Sequence, residues 1–258
     1  MPGKARALLY LLGRAKGLPG KASLLRALLG GKPHPTPRVP ARLRRVQFRE
    51  FTLWFHVGQG QLTPYIDLTK EFVTLGPQMS GPVSAMNVLD VGANIGIFSL
   101  LLKSARRIIA VEPNPALREC LDKNFAENHV RGESVQKAVF SEECKLKMDF
   151  GSLSILAKIS DIGTTEVEAT TIDKLVERFN GEVVDFLKID IEGHELSALR
   201  GASKSLTQRL IRQIYLEFWN PSTLKALDEL LTAFGYVRAF TGASNALYKL
   251  SALQSPVS

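Results

Sequence analysis

The sequence predicts an α/β fold, a doubly wound and mostly parallel sheet with helices on both faces, behind a basic N-terminal extension. Three observations predict it. From residue 87 onward, short apolar runs alternate with stretches whose apolar residues recur at helical spacing. Several of these runs, 183–189 above all, are strongly apolar, as strands covered on both faces are. Residues 1–49 are of another kind, with twelve Lys or Arg and no Asp or Glu.

The elements follow in chain order. Pro33, Pro35, Pro37 and Pro40 mark a linker, so a basic arm and linker are expected over 1–43. A lead-in over 44–86 is a candidate substrate cap, and the main domain spans 87–258. Residues 46–57, rich in Phe, Trp and β-branched residues and followed by Gly58 and Gly60, predict a strand or hairpin. A buried strand is expected at 87–91, a helix at 97–103 and a second strand at 107–111. Leu117, Leu121 and Phe125 at i, i+4 and i+8 define the next helix. Residues 134–139 predict a third strand, and 145–150 and 167–171 two more. Ile172, Leu175, Val176 and Phe179 share a helix face. After the strand at 183–189, one helix carries Leu196, Leu199 and Leu206. A strand at 213–218 and a helix with Leu224, Leu227, Leu231 and Phe234 precede a closing hairpin, 236–240 with 246–250.

At 258 residues the chain holds one large domain and an extension. Its net charge of +8 belongs to the arm, because residues 50–258 keep 21 basic against 25 acidic residues, a net of −4. Cys120 and Cys144, the only cysteines, fit neither a disulfide framework nor a zinc site, which points to a reducing, cytoplasmic setting. The leucine-rich runs of the arm are shorter than the ~20 residues a membrane span needs. They fit peripheral membrane contact through residues 1–30, or a helix packed on the domain. Organelle import is the weaker reading, since Ser23 is the arm's only serine.

The chemistry lies at the strand ends. Val88-Leu89-Asp90-Val91-Gly92-Ala93-Asn94-Ile95-Gly96 runs from a buried strand through a tight turn into a helix. Gly92 is expected to let the backbone turn tightly and to admit a ligand to it, and Gly96 to let the helix start close to the sheet. Glu112, followed by Pro113, lies twenty residues beyond Gly92, where a carboxylate accepts ribose hydroxyls in nucleoside sites. A solvated strand-end glutamate is the plain alternative. The turn lacks the G-x-G-x-x-G that admits a pyrophosphate, and Asp90 would oppose one. A carboxylate there suits the ammonium and sulfonium of S-adenosylmethionine.

Asp90 to Gly96, Glu112-Pro113-Asn114-Pro115, Thr171-Ile172-Asp173 and Lys188-Ile189-Asp190-Ile191-Glu192-Gly193-His194-Glu195 occur in this order, with Leu199-Arg200-Gly201-Ala202 beyond. Together they resemble the FkbM-type methyltransferases, a branch of the class I S-adenosylmethionine-dependent fold, over roughly residues 87–218. The resemblance implies a seven-stranded sheet with one antiparallel strand. It implies methyl transfer to a hydroxyl of a sugar, glycolipid or other small molecule. The cofactor residues it indicates are Asp90, Gly92, Ala93, Asn94, Gly96, Glu112 and Pro113.

In this fold the edge carrying 188–195 faces the transferred methyl. The Asn/Asp-Pro-Pro-aromatic motif of amino-methylating enzymes is absent there. Asp190 or Glu192 is the expected base for a hydroxyl proton, with His194 an alternative. Lys188 is either catalytic or an ion-pair partner of these acids. Glu195 suits a first helical turn. Asp190, Glu217 and Asn220 form a further option, hard oxygen ligands for Mg²⁺, although a metal-free site is favoured. Trp219 is expected as wall or lid. Against RNA binding or methylation stands the carboxylate-rich edge, which repels a phosphodiester. Against a non-catalytic scaffold stands the joint retention of Asp90, Gly92, Gly96 and Glu112. No obligate protein partner is implied.

Overall fold

The computed structural model describes residues 43–48, 51–56, 75–150, 158–159 and 165–251. The basic arm, the Gly58–Gly60 stretch and most of the linker lie outside the described residues. β1 (Leu43–Phe48) and β2 (Phe51–His56) form an antiparallel hairpin, three residues earlier than the sequence suggests.

The domain proper opens with β3 (Asn87–Val91), α1 (Ile97–Leu101), β4 (Arg107–Val111), α2 (Pro115–Glu127) and β5 (Gly132–Val135). A four-stranded side sheet follows, from β6 (Ala138–Val139), β7 (Lys145–Asp149), β8 (Lys158–Ile159) and β9 (Thr165–Thr170). The chain then returns through α3 (Ile172–Glu177), β10 (Phe186–Ile189), α4 (Glu195–Arg200), α5 (Ser203–Thr207) and β11 (Gln213–Glu217). It ends with α6 (Pro221–Ala233), β12 (Tyr236–Thr241) and β13 (Asn245–Leu250).

Seven strands make the central sheet, in the order β5-β4-β3-β10-β11-β13-β12. β13 alone runs antiparallel to its neighbours. Winding proceeds from β3 toward β5 and then from β10 toward β12, so the direction reverses between β3 and β10. That reversal opens a crevice at the strand C-termini.

Alternation along the strands divides the core into two layers. Leu89, Val91, Ile109, Val111, Leu187, Ile189, Ile214 and Leu216 face one side, where Ile172, Leu175, Leu199, Leu227 and Leu231 cover them. Val88, Ile108, Ala110, Phe186, Tyr215 and Leu247 face the other, beneath Phe98, Leu102, Leu121 and Phe125. The residues that helical periodicity singles out pack on this core, Leu196, Leu224 and Phe234 only partly buried.

Three expected elements differ in extent. Residues 134–139 are two strands: β5 pairs with β4 in the central sheet, whereas β6 pairs with β9 in the side sheet. The helix expected through Leu206 is two. The Asp173 carboxylate accepts from the Lys204 and Ser205 N–H groups at 3.1 and 2.7 Å, giving α5 its own N-terminal cap and breaking it from α4. The strand at 183–189 pairs fully only from Phe186, Val184 forming an isolated bridge to Ile211.

Gly96, the N-cap of α1, has φ of +86°. A Cβ there would lie 2.4 Å from Leu121 Cδ1, so the glycine sets the approach of α1 to α2 rather than to the sheet. Gly96→Ala is expected to lower stability by about 1–3 kcal/mol, from left-handed strain and overpacking together. Urea unfolding monitored by circular dichroism measures it.

Candidate functional site

The turn after β3 is held from below by the end of β4. The N–H groups of Gly92 and Ala93 both donate to the Val111 carbonyl at 3.0 Å. Asn94 is left-handed at φ 54°, and its side-chain oxygen accepts from Ile95 N–H at 2.8 Å. Gly92 has φ of +76°, and a Cβ on it would stand 1.9 Å from the Asp190 carbonyl oxygen. Gly92 makes the tight turn and lines the crevice as expected, and the close passage of the β3 and β10 loops is a further requirement for glycine there.

Glu112 ties two loops together. One oxygen accepts from Asn94 N–H and the other from Asn114 N–H, each at 2.9 Å. Burial pushes its carboxyl up to about 7, against the pull of those N–H groups and of Lys188. Each oxygen retains lone-pair capacity for a further donor. Beside it runs a mostly apolar slot, walled by Gly92, Val111, Pro113, Val139, Met148 and Ile191. His194 lines this slot too, half-buried and 6.4 Å between centroids from Phe140, and burial lowers its pKa. This imidazole belongs to the slot wall.

Asp90 is placed differently from the sequence expectation. Its carboxylate is fully buried, accepting from Ser99 Oγ at 2.7 Å and lying 3.4 Å from Lys188 Nζ. It therefore acts beneath the turn and does not face the crevice. Lys188 and Asp90 are register partners on β10 and β3, which puts both side chains on one face of the sheet. Lys188 Nζ also donates to the Gly92 carbonyl at 2.8 Å and lies 3.4 Å from Asp190 Oδ2. Burial alone would lower its pKa, but Asp190 and Asp90 more than offset that and hold it above the ordinary lysine value. Lys188 is thus a permanent cation between two carboxylates, so of its two readings the geometry realises the ion pair.

Asp190 and Glu217 end adjacent parallel strands, each just beyond a residue of the pair Ile189 and Leu216. They are hydrogen-bonded to each other. Burial first, then the charges of Asp190, Glu192 and Glu195, push Glu217 up to about 8. Glu192 and Gly193 both have positive φ, 56° and 99°, in a tight loop. Glu195 holds that loop: its Oε1 accepts from the N–H groups of Ile191 and Gly193, both at 3.1 Å. Burial raises this carboxyl as well. Half-exposed Trp219 stands beside Gly193 at the rim.

The magnesium ligand set is not assembled in this arrangement. Asn220 caps α6, its side-chain oxygen accepting from Thr223 N–H at 2.9 Å. Among the described residues no three His, Cys, Asp or Glu are grouped to hold a metal. The sequence reading missed Ser99, which seats Asp90, and Met148, which reaches the slot from the side sheet. Neither carries a local motif.

The donor set fits S-adenosylmethionine. An apolar slot suits an adenine, a buried carboxylate beside it suits a ribose, and an anionic strand edge suits a cationic ligand without phosphate. Those residues sit at the sheet's reversal point, where doubly wound folds bind ligands.

The model of the Methyltransferase FkbM domain matches residues 90–238. Methyltransferase sdnD of Sordaria araneosa is 27% identical over 188 residues, covering 56% of this chain and 70% of that protein. Hexuronic acid methyltransferase AglP of Haloferax volcanii is 30% identical over 123 residues, which is 45% of this chain and 50% of AglP. Among solved structures, Methyltransferase FkbM from Methylobacillus flagellatus KT is 16% identical with a TM-score of 0.47, covering 74% of this chain and 60% of that one. The chain thus spans only part of each relative's length.

Proposed function

The chain belongs to the FkbM methyltransferase family, and from that premise we propose that it methylates a hydroxyl of a sugar, glycolipid or other small molecule, using S-adenosylmethionine. The observation that carries the hydroxyl is the Asp190–Glu217 carboxyl pair at the ends of adjacent strands. A hydroxyl is a weak nucleophile and gains from a base that takes its proton as the new C–O bond forms. The family match and the naming of AglP as a hexuronic acid methyltransferase support a sugar-class acceptor. The acidic edge disfavours a polyanionic nucleic acid.

S-adenosylmethionine, when bound, supplies an electrophilic methyl group. The protein's residues do the rest. Glu112 accepts the ribose hydroxyls while keeping the Asn94 and Asn114 turns in place. The slot from Val111 to Met148 takes the base. Lys188 pairs with Asp190 at 3.4 Å, and the Asp190 charge raises the basicity of Glu217. Glu195 holds the Asp190–Gly193 loop against the strand end. The test is incubation with methyl-labelled S-adenosylmethionine and a panel of glycan, lipid and metabolite hydroxyls, read as a one-methyl mass gain. Label found on amines alone, or on no acceptor while the cofactor binds, would overturn the hydroxyl reading.

Cofactor affinity is expected to depend on pH through Glu112. Its ionised form accepts hydroxyl donors, so binding weakens as pH falls through about 7. Glu112→Gln should cost about 1.5–3 kcal/mol of affinity for S-adenosylhomocysteine, the scale of hydrogen bonds to a charged group, and should abolish that pH dependence. Some stability should be lost as well, because the amide matches only one of the two N–H groups the carboxylate now holds. Calorimetry at pH 6 and 8 reads both effects.

A further inference from the structure

The β1–β2 hairpin is joined to α2 by two asparagines that stand in for a neighbouring strand. Asn128 Oδ1 accepts from Thr52 N–H at 2.9 Å, and its Nδ2 donates to the Thr52 carbonyl at 2.7 Å. Asn124 Oδ1 accepts from Trp54 N–H at 2.6 Å, and its Nδ2 donates to the Trp54 carbonyl at 3.2 Å. Four residues of helix rise about 6 Å and two residues of strand about 6.8 Å, so an i, i+4 pair of carboxamides meets an i, i+2 pair of peptide groups. β1 occupies the other edge of β2, and the asparagines complete this one.

The two asparagines differ in their third bond. Asn128 Nδ2 donates back to the Asn124 carbonyl of its own helix at 2.8 Å. Asn124 Nδ2 donates at 2.7 Å to the carbonyl of Ile95, in the turn after β3. Asn124 is fully buried, and Ile95 lies between left-handed Asn94, whose N–H reaches Glu112, and left-handed Gly96. One carboxamide therefore joins the hairpin backbone to the turn that faces the nucleoside slot.

Resting on the cofactor reading above, we propose that Asn124 is a positioning residue that couples docking of the N-terminal hairpin to the cofactor turn, so that each stabilises the other. The hairpin is then a support of the cofactor site. By linkage the coupling runs both ways: a ligand that holds the turn protects the hairpin, and loss of the hairpin contact loosens the turn.

The experiment compares Asn124→Ala with Asn128→Ala in the full chain. Both remove one rung of the hairpin contact, but only the first removes the bond to Ile95. Calorimetry with S-adenosylhomocysteine should show about tenfold weaker binding for Asn124→Ala and less than threefold for Asn128→Ala. Amide hydrogen exchange of 51–56 should slow on adding S-adenosylhomocysteine in the parent and in Asn128→Ala, and not in Asn124→Ala. Asn124→Asp, which keeps size and the acceptor for Trp54 N–H but loses both donor bonds, should behave as Asn124→Ala does. Equal affinities for the two alanine variants would overturn the proposal. So would hairpin exchange in the parent that ignores the ligand, a result that needs no variant to fold. A parent that binds no S-adenosylhomocysteine overturns the cofactor reading and this inference together, whereas a parent that binds while every variant matches it removes only the role of Asn124.

Discussion

Lys188→Met is expected to destabilise the protein by about 3–5 kcal/mol, a large part of the ~5–15 kcal/mol by which domains of this kind are stable. Lys188 is 3% exposed and lies on the same rung of the sheet as fully buried Asp90. Methionine fills the same volume, so little of the loss comes from packing. What is lost is the cation 3.4 Å from Asp90 and Asp190, and the donor to the Gly92 carbonyl at 2.8 Å. Ser99 alone then faces a carboxylate that cannot reach water. Asp90→Asn in the same background removes the uncompensated charge, and the double variant should recover part of the stability. Cofactor affinity should not recover with it, because the Gly92 carbonyl stays unpaired at the turn. Urea unfolding of the two single variants and the double variant forms the cycle. A Lys188→Met protein as stable as the parent would show that the pair contributes nothing to the fold.

That pair also shows where sequence reasoning succeeds and stops. The strand ends were legible because the chemistry there is local. Asp90 to Gly96 and Glu112-Pro113 each lie at the end of a buried strand, and parallel register brings such ends to one edge. The seven-stranded sheet with one antiparallel strand stands as the family resemblance implies. What each carboxylate faces was not legible. Whether Asp90 points into the crevice or under the turn depends on Lys188, ninety-eight residues on, and on Ser99 from the covering helix. Asn220 reads as an oxygen ligand until α6 is seen to begin immediately after it and take its side chain as cap. The change of sheets between Val135 and Ala138 has no Gly or Pro to announce it. Asn124 carries no motif either, since its partners at Trp54 and Ile95 are fixed only by packing.

The largest expected effect on turnover lies at Glu217. Burial and the surrounding carboxylates raise its pKa to about 8, so the native protein holds a proton there at neutral pH that an ordinary glutamate would have lost. The form that accepts a proton is the ionised one. Turnover at saturating cofactor should therefore rise with pH and level off above about 8. Because Asp190 and Glu217 share a hydrogen bond, that limb belongs to the pair. Glu217→Gln preserves size but cannot take a proton, and should lower turnover by ~10²–10⁴-fold and erase the limb. Asp190→Asn tests the cause of the raised value. It removes the charge that most opposes ionisation of Glu217, so the limb should move to lower pH, with a lower plateau because the remaining base is weaker. Cofactor affinity should fall far less than turnover in either variant, since the anionic edge loses one charge while the contacts of Glu112 with Asn94 and Asn114 are untouched. pH–rate profiles from 5.5 to 9.5, taken with a hydroxylated acceptor from the labelling assay, separate the outcomes. If Glu217→Gln keeps the parent's rate and limb, the proton goes elsewhere. If Asp190→Asn leaves the limb unmoved, its charge does not set the basicity of Glu217.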